Sequence, residues 1–242
     1  MRLSFNVNFH THSCLSPCAD DEMTPMNIAG MASLGGYNVF ALTDHNSAKN
    51  CPAFFVAARS YGIIPIAGME LTTSEDIHAV CLFPTLDGAM AFDRELDRLR
   101  VRIENRPDIF GRQLIMGKGD EVVGEEKYLL TNATLISIEE LPSLVESFDG
   151  VCYPAHVDKD ANGIIAILGT FPETPDFLNF EMRDPSRLCE FEGKYGLRNK
   201  NMIFGLDAHF LDEIVDAEHS VTLDTDGTEE DTVRALFEFL RG

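Results

Sequence analysis

Basic residues are scarce in this chain. It holds 19 Lys and Arg against 40 Asp and Glu, a formal net charge of −21 over 242 residues. Phosphate backbones are held mainly by Lys and Arg, so this balance argues against a bare nucleic-acid groove. An anionic substrate then needs local positive charge, and bound divalent cations are the obvious source. Long apolar runs are missing too. None approaches the ~20 residues of a membrane-spanning helix. The opening MRLSFNVNFHTH breaks its short apolar stretch with two histidines, so neither a span nor a signal peptide is expected there. Nothing matches the phosphate loops G-x-x-x-x-G-K-S/T or G-x-G-x-x-G, and no G-x-S-x-G elbow presents a nucleophilic serine. Internal repeats, low-complexity tracts and linkers are absent, and one domain over residues 1–242 is expected.

Cysteines occur at Cys14, Cys18, Cys51, Cys81, Cys152 and Cys189, with no paired C-x-x-C set. That argues against a structural zinc site. The chain is also too long for a disulfide-dense scaffold. Cys81 and Cys152 lie in apolar runs, where buried free thiols are common. A reducing, cytoplasmic compartment is expected.

What is present is an alternation of apolar strand-like runs and helix-like segments. Strands are predicted over residues 3–9, 37–42, 63–71, 79–83, 151–153, 177–180, 202–205 and 220–223. Thr24-Pro25 places an N-cap and a first-turn proline ahead of a helix that Gly35-Gly36 stops. Further helices are predicted over residues 53–60 and 229–240, and another to about residue 148 behind the Ser137/Glu140 capping pattern. The rhythm predicts an α/β fold with a parallel sheet or barrel. Residues 86–135 interrupt it with a solvated helix over 86–104 and a β-hairpin over 113–123, and read as an insertion.

The histidines fall at strand edges. His10 and His12 follow the first strand, His45 the second, His156 the strand at 151 and His209 the strand at 202; Glu70 ends the third strand and Asp207 precedes His209. The C-terminal strand ends of parallel α/β folds converge on one face, so these side chains are expected to meet. His78 joins them if the turn after Glu70 folds back. Imidazole and carboxylate together suit Zn, Mn or Fe. Asp44 reads as a turn-capping or ligand-orienting acid. Lys159 and Arg183 follow predicted strands on the same face and are candidate phosphate clamps. Glu181 is similarly placed without an assigned role, and His219 reads as structural.

His10-Thr11-His12, Thr43-Asp44-His45-Asn46, Gly68-Met69-Glu70, His78, Pro154-Ala155-His156 and Asp207-Ala208-His209 resemble, in order, the motifs of the PHP (polymerase and histidinol phosphatase) family. The resemblance implies a distorted (βα)7 barrel with two to three divalent metal ions in a trinuclear centre, and hydrolysis of phosphate esters. By that resemblance His10, His12, Glu70 and Asp207 hold one metal. Glu70 bridges to a second, completed by His78 and His156, while His45 and His209 hold a third. Counting back from Thr24-Pro25 selects Asp20 to complete the third site, with Asp21 or Cys18 as alternatives. Glu70, His209 and Asp44 are the expected catalytic residues. The expected partner is a small phosphorylated metabolite or nucleotide, with neither a nucleic-acid groove nor a membrane. The sequence sets no oligomeric state. A non-catalytic accessory or regulatory domain and a metal-dependent amidohydrolase are the competing readings.

Overall fold

A computed structural model describes residues 1–242. Its elements in chain order are β1 (Arg2–Asn8), α1 (Pro25–Leu34), β2 (Val39–Leu42), α2 (Cys51–Ser60), β3 (Ile64–Thr72), β4 (His78–Phe83), α3 (Leu86–Leu96), α4 (Pro107–Phe110), β5 (Leu114–Met116), β6 (Val122–Glu125), α5 (Leu141–Glu146), β7 (Val151–Pro154), α6 (Ile164–Leu168), β8 (Asn179–Met182), α7 (Leu188–Tyr195), β9 (Asn201–Phe204), β10 (Ser220–Asp224) and α8 (Glu229–Arg241).

The α/β class is as expected. β2 shows why its strands are apolar throughout: Val39, Phe40, Ala41 and Leu42 are all buried. Val39 and Ala41 face one core with Val7, Phe9, Ile66 and Tyr153, and Phe40 and Leu42 face another with Ile28, Phe54 and Ala58. A strand covered on both faces has no polar side to keep. α8 closes the inner core with Leu236, Phe237 and Leu240. Its N-cap Thr228 accepts from the Asp231 amide, and acids in the first turn with Arg241 in the last suit the helix dipole.

The sheet order is β10-β1-β2-β3-β4-β7, with β8 and β9 as a separate parallel pair. Uniform parallel alternation fails at β4, which runs antiparallel to both β3 and β7. The physical cause is the short link at residues 73–77, which can join antiparallel neighbours but not a parallel crossover. The curl is carried round by backbone bonds at the strand ends. The Val157 amide donates to the Glu181 carbonyl, the Asp207 amide to the His10 carbonyl and the His12 amide to the Ala208 carbonyl. One mouth is therefore ringed by the ends of β1, β2, β3, β7, β8 and β9 and by the start of β4.

Between α3 and α5 the helix expected over 86–104 stops at Leu96. A turn over residues 97–99 follows, and the chain then stays out of helix up to α4, with isolated bridges Arg100–Thr134 and Glu104–Tyr128. Arg100 pairs with the buried Asp93 at 2.9 Å and donates to the Asn46 carbonyl. This tertiary anchor overrides helix propensity. The expected hairpin is present as β5–β6 and ends two residues later than expected, at Glu125, and Ser137 and Glu140 form their reciprocal capping bonds ahead of α5. All six cysteines are unpaired. No helix is long and apolar enough to cross a membrane.

Gly68 lies opposite Leu82 in the β3–β4 pair. A Cβ there would lie 2.6 Å from the Cys81 carbonyl oxygen. Gly68→Ala is expected to destabilise the fold by about 1–3 kcal/mol through overpacking, read as a lower thermal midpoint. An unchanged midpoint would show that β4 can yield at that contact.

Candidate metal centre

β1 delivers His10 and His12 to the mouth, both fully buried. Alternate residues of an extended segment share a side, so both rings point into the ring of strand ends. Asn8 braces this end: its Nδ2 donates to Thr11 Oγ1, and its Oδ1 accepts from the Leu206 amide. His156 and Asp207 reach the centre from left-handed backbone, with φ of 28° and 50°. Such conformations cost non-glycine residues free energy and recur where side chains are held for function.

The His10 Nε2 and His12 Nε2 atoms are 3.1 Å apart. Glu70 lies 3.5 Å from His10 and 3.3 Å from His12, and Asp207 lies 3.5 Å and 3.4 Å from the same atoms. A tetrahedral ion with bonds of about 2.1 Å sets its ligands about 3.4 Å apart. His10 Nε2, His12 Nε2 and Asp207 Oδ1 have that mutual spacing, and Glu70 meets the two rings through different oxygens, Oε1 towards His10 and Oε2 towards His12. Glu70 is the hub. One carboxylate oxygen is 2.8 Å from His78 Nδ1 and 2.9 Å from His156 Nε2; the other is 3.1 Å from His45 Nδ1. His45, Glu70 and His78 form a second donor group, and His12, His45 and His209 a third. His45 Nδ1 is buried with no hydrogen-bond partner. A buried orphan nitrogen is costly, and ligation offsets that cost. His78 reaches the group because β4 is antiparallel: its first residue lies beside the last residue of β3, Thr72.

Two expected residues lie apart. Asp20 is exposed, and its carboxylate accepts from the Glu22 amide at 2.8 Å instead of joining a donor group. The loop places only the Asp20 backbone at the centre, its amide donating to the His209 carbonyl. Neither Asp21 nor Cys18 is in a donor group. Asp44 is fully buried but sits behind the ligands. It accepts from the Ser13 amide and from the hydroxyls of Ser13 and Ser16, and Ser16 Oγ lies 2.9 Å from His12 Nδ1. It reaches His12 only by way of the Ser16 hydroxyl. Lys159 and Arg183 both reach Asp207, at 3.0 Å and 3.3 Å. His219 stacks on Phe204, ring centroids 3.8 Å apart, away from the ligands.

Glu181 is the residue whose role sequence reasoning missed. It is fully buried at the end of β8, with its oxygens 2.9 Å and 3.0 Å from His10 Nδ1, and it accepts from the His156 amide at 3.3 Å. A carboxylate on the far nitrogen fixes the tautomer and leaves Nε2 as the donor. The available signal was an acid inside the apolar strand Asn179-Phe180-Glu181-Met182, since a buried charge demands a partner.

Burial raises the Glu70 carboxyl, but the imidazoles of His78, His10 and His45 override it and hold the group well below the usual carboxylate range. For His10, burial disfavours the cation, while Glu181, Glu70 and Asp207 outweigh it and raise the imidazole well above its usual value. Burial and the neighbouring His12 bring His209 down to about 3. Burial thus favours neutral His209, whereas the acids around His10 favour its protonated form, so an incoming cation competes with a proton there. Divalent metal binding at pH 7 is therefore expected to release at least one proton per chain, with affinity rising as pH rises toward the His10 value. Titration calorimetry in buffers of different ionisation enthalpy reads this directly, and uptake or no exchange would contradict it.

A surface cavity of about 610 Å³ is lined by Leu3, Phe5, Arg59 and Ile64 at the strand starts and holds none of these ligands. The grouped donors lie at the opposite mouth.

The PHP domain profile matches residues 8–152. No curated protein matches the sequence. Among solved structures, the lesion-specific endonuclease PfuEndoQ from Pyrococcus furiosus superposes with a TM-score of 0.68 at 16% identity, over 98% of this chain and 56% of that one. An endonuclease Q complex with a 27-mer duplex bearing an abasic lesion at its active site gives 0.62 at 16%, over 99% and 57%. An amidohydrolase from Chromobacterium violaceum gives 0.57 at 16%, over 89% and 91%. The chain thus spans little more than half the length of the endonucleases it resembles. The expectation of a small phosphorylated partner and no nucleic-acid groove is overturned, because a chain of this fold holds a DNA duplex at its active site. Net charge sums the whole surface, whereas a phosphate at the mouth meets only the groups around it. The ordered ligands, their convergence on one mouth and the match over residues 8–152 lead to one conclusion: the chain belongs to the PHP domain family.

Proposed function

We propose that the chain is a metal-dependent phosphoesterase acting on phosphodiester bonds of nucleic acid. The observation that carries this reading is the donor set around Glu70: His10, His12 and Asp207 at tetrahedral spacing on one side, and His45, His78 and His156 on the other. Two to three divalent ions, Zn, Mn or Fe, suit such nitrogen and carboxylate donors. Bound there, they supply a lowered water pKa and an offset to phosphate charge.

The chain's own part is positioning. Glu70 and Asp207 keep their charge through the imidazoles around them. Glu181 holds His10, and Ser16 on Asp44 holds His12, so neither ring swings when substrate arrives. Lys159 and Arg183 on the free side of Asp207 are placed to take a phosphate oxygen each. His209, the most open of the ligating imidazoles at 20% side-chain exposure, faces the entry. Apart from the partly exposed His78, burial of the rest keeps bulk water from competing for the donors. The relation to endonuclease structures favours a nucleic-acid phosphodiester over other esters.

The test is metal analysis of purified protein, with hydrolysis of bis(p-nitrophenyl) phosphate and of single- and double-stranded oligonucleotides after Mn, Fe or Zn loading. Bound metal with diester turnover is the expected result. Metal without turnover would favour an accessory domain, and no bound metal after supplementation would sink the reading.

A further inference from the structure

Beyond the metal ligands, three cations are tied into one construction beside the mouth. The Asp158 carboxylate accepts from the amides of Arg183 and Asp184, each at 3.0 Å. The Asp158 carbonyl accepts from the Arg187 guanidinium at 3.3 Å, and Lys159 is the next residue along. Asp184 in turn caps the Ser186 amide, which sets the turn that carries Arg187. One short segment thus fixes the positions of Lys159, Arg183 and Arg187 together. The first two lean inward onto Asp207.

Arg187 does not reach Asp207. Its guanidinium lies over the Phe191 ring at 4.7 Å, with Glu190 3.6 Å away and more than half exposed. The side chain is itself 41% exposed. A guanidinium carries five N–H donors, and the Asp158 carbonyl is the hydrogen-bond acceptor that holds this one. Stacking on Phe191 fixes its plane at little entropic cost and leaves its outer edge to solvent. In a chain with a formal charge of −21, this is a prepared cation one step outside the pair that flanks the metal ligands.

We infer that Arg187 is a second phosphate site, which takes the phosphate next to the scissile one along a polynucleotide strand. This rests on the phosphodiesterase reading above and narrows its substrate to a chain of at least two phosphates. A substrate with a single phosphate is served by Lys159 and Arg183 and leaves Arg187 idle. A strand running outward from the ligands brings its next phosphate past the exposed end of the guanidinium: Nη1 is on the Asp158 carbonyl and Nε faces Glu190, so Nη2 is the donor that meets it.

The experiment compares wild type, Arg187→Gln and Arg187→Lys, all Mn-loaded. Affinity for a fluorescein-labelled phosphorothioate thymidine hexamer, which keeps its charge and resists hydrolysis, is read by anisotropy across a salt series. Turnover of bis(p-nitrophenyl) phosphate is measured in parallel. Arg187→Gln is expected to weaken hexamer binding roughly 5- to 10-fold at low salt. It should also lower the slope of log Kd against log salt by about 0.7, the value for one phosphate contact on a single strand. Diester turnover should stay within about twofold of wild type, and Arg187→Lys should keep most of the salt slope while losing part of the affinity. Equal hexamer binding by wild type and Arg187→Gln overturns the inference, as does an equal loss of hexamer binding and diester turnover. Absence of diester turnover in the wild type overturns the phosphodiesterase reading instead, since the binding comparison needs no hydrolysis.

Discussion

Glu70→Gln is expected to lower phosphodiester turnover by on the order of a thousandfold or more and to reduce the metal content of the purified protein. The substitution keeps the volume of the side chain and removes its charge. In the native centre the two Glu70 oxygens lie within 3.5 Å of His10, His12, His45, His78 and His156. An amide presents one acceptor and one donor group, so one face of the hub turns from attracting cations to opposing them. Loss of one preorganised electrostatic group costs about 100- to 1000-fold in other hydrolases, and here the same residue serves more than one donor group. Metal analysis with single-turnover kinetics distinguishes the two losses. Retained turnover at native metal content would remove Glu70 from the centre and with it the proposed function.

The second large effect is expected at a residue that touches no metal donor position. Glu181→Gln should lower metal affinity by roughly 10- to 100-fold, the range seen when the outer partner of a ligating histidine is changed. The glutamine amide can still accept from His10 Nδ1–H, but it no longer supplies the charge that makes Nε2 a strong donor. It also presents an NH2 group against His10 and the His156 amide in a fully buried space. There is little room for adjustment: a Cβ on Gly205 would already lie 2.5 Å from the Glu181 carboxylate and 2.6 Å from the His10 Cβ. Chelator competition measures the affinity, and circular dichroism checks that the fold is kept. Native affinity in a folded variant would show that His10 needs no outer carboxylate.

Much of this centre is legible in the order of residues. Histidine and carboxylate stand at the ends of apolar runs, and strand ends in an α/β fold gather on one face, so His10, His12, His45, Glu70, His156, Asp207 and His209 can be grouped without coordinates. Asp20 shows where that reasoning stops. Whether a loop acid faces a centre depends on its turn, and here the Glu22 amide captures the carboxylate first. Asp44 is the same lesson at a buried site: its neighbour His45 belongs to a donor group, yet its own partners are Ser13 and Ser16. The end of the helix at Leu96 likewise goes with Arg100 reaching back to the Asn46 carbonyl, a distant contact that local helix propensity does not contain.

By itself the sequence determined the α/β class, the family motifs and the chemical nature of the ligands. These depend on side-chain type and on hydrophobic period, both of which are local. Only the tertiary structure decided that β4 turns back so that His78 meets Glu70, that Glu181 and Ser16 aim the rings of His10 and His12, and that Arg187 stands outside Asp207. These depend on distances between residues far apart in the chain, and such distances are set by packing and by hydrogen bonds that exist only once the strands have closed around the mouth.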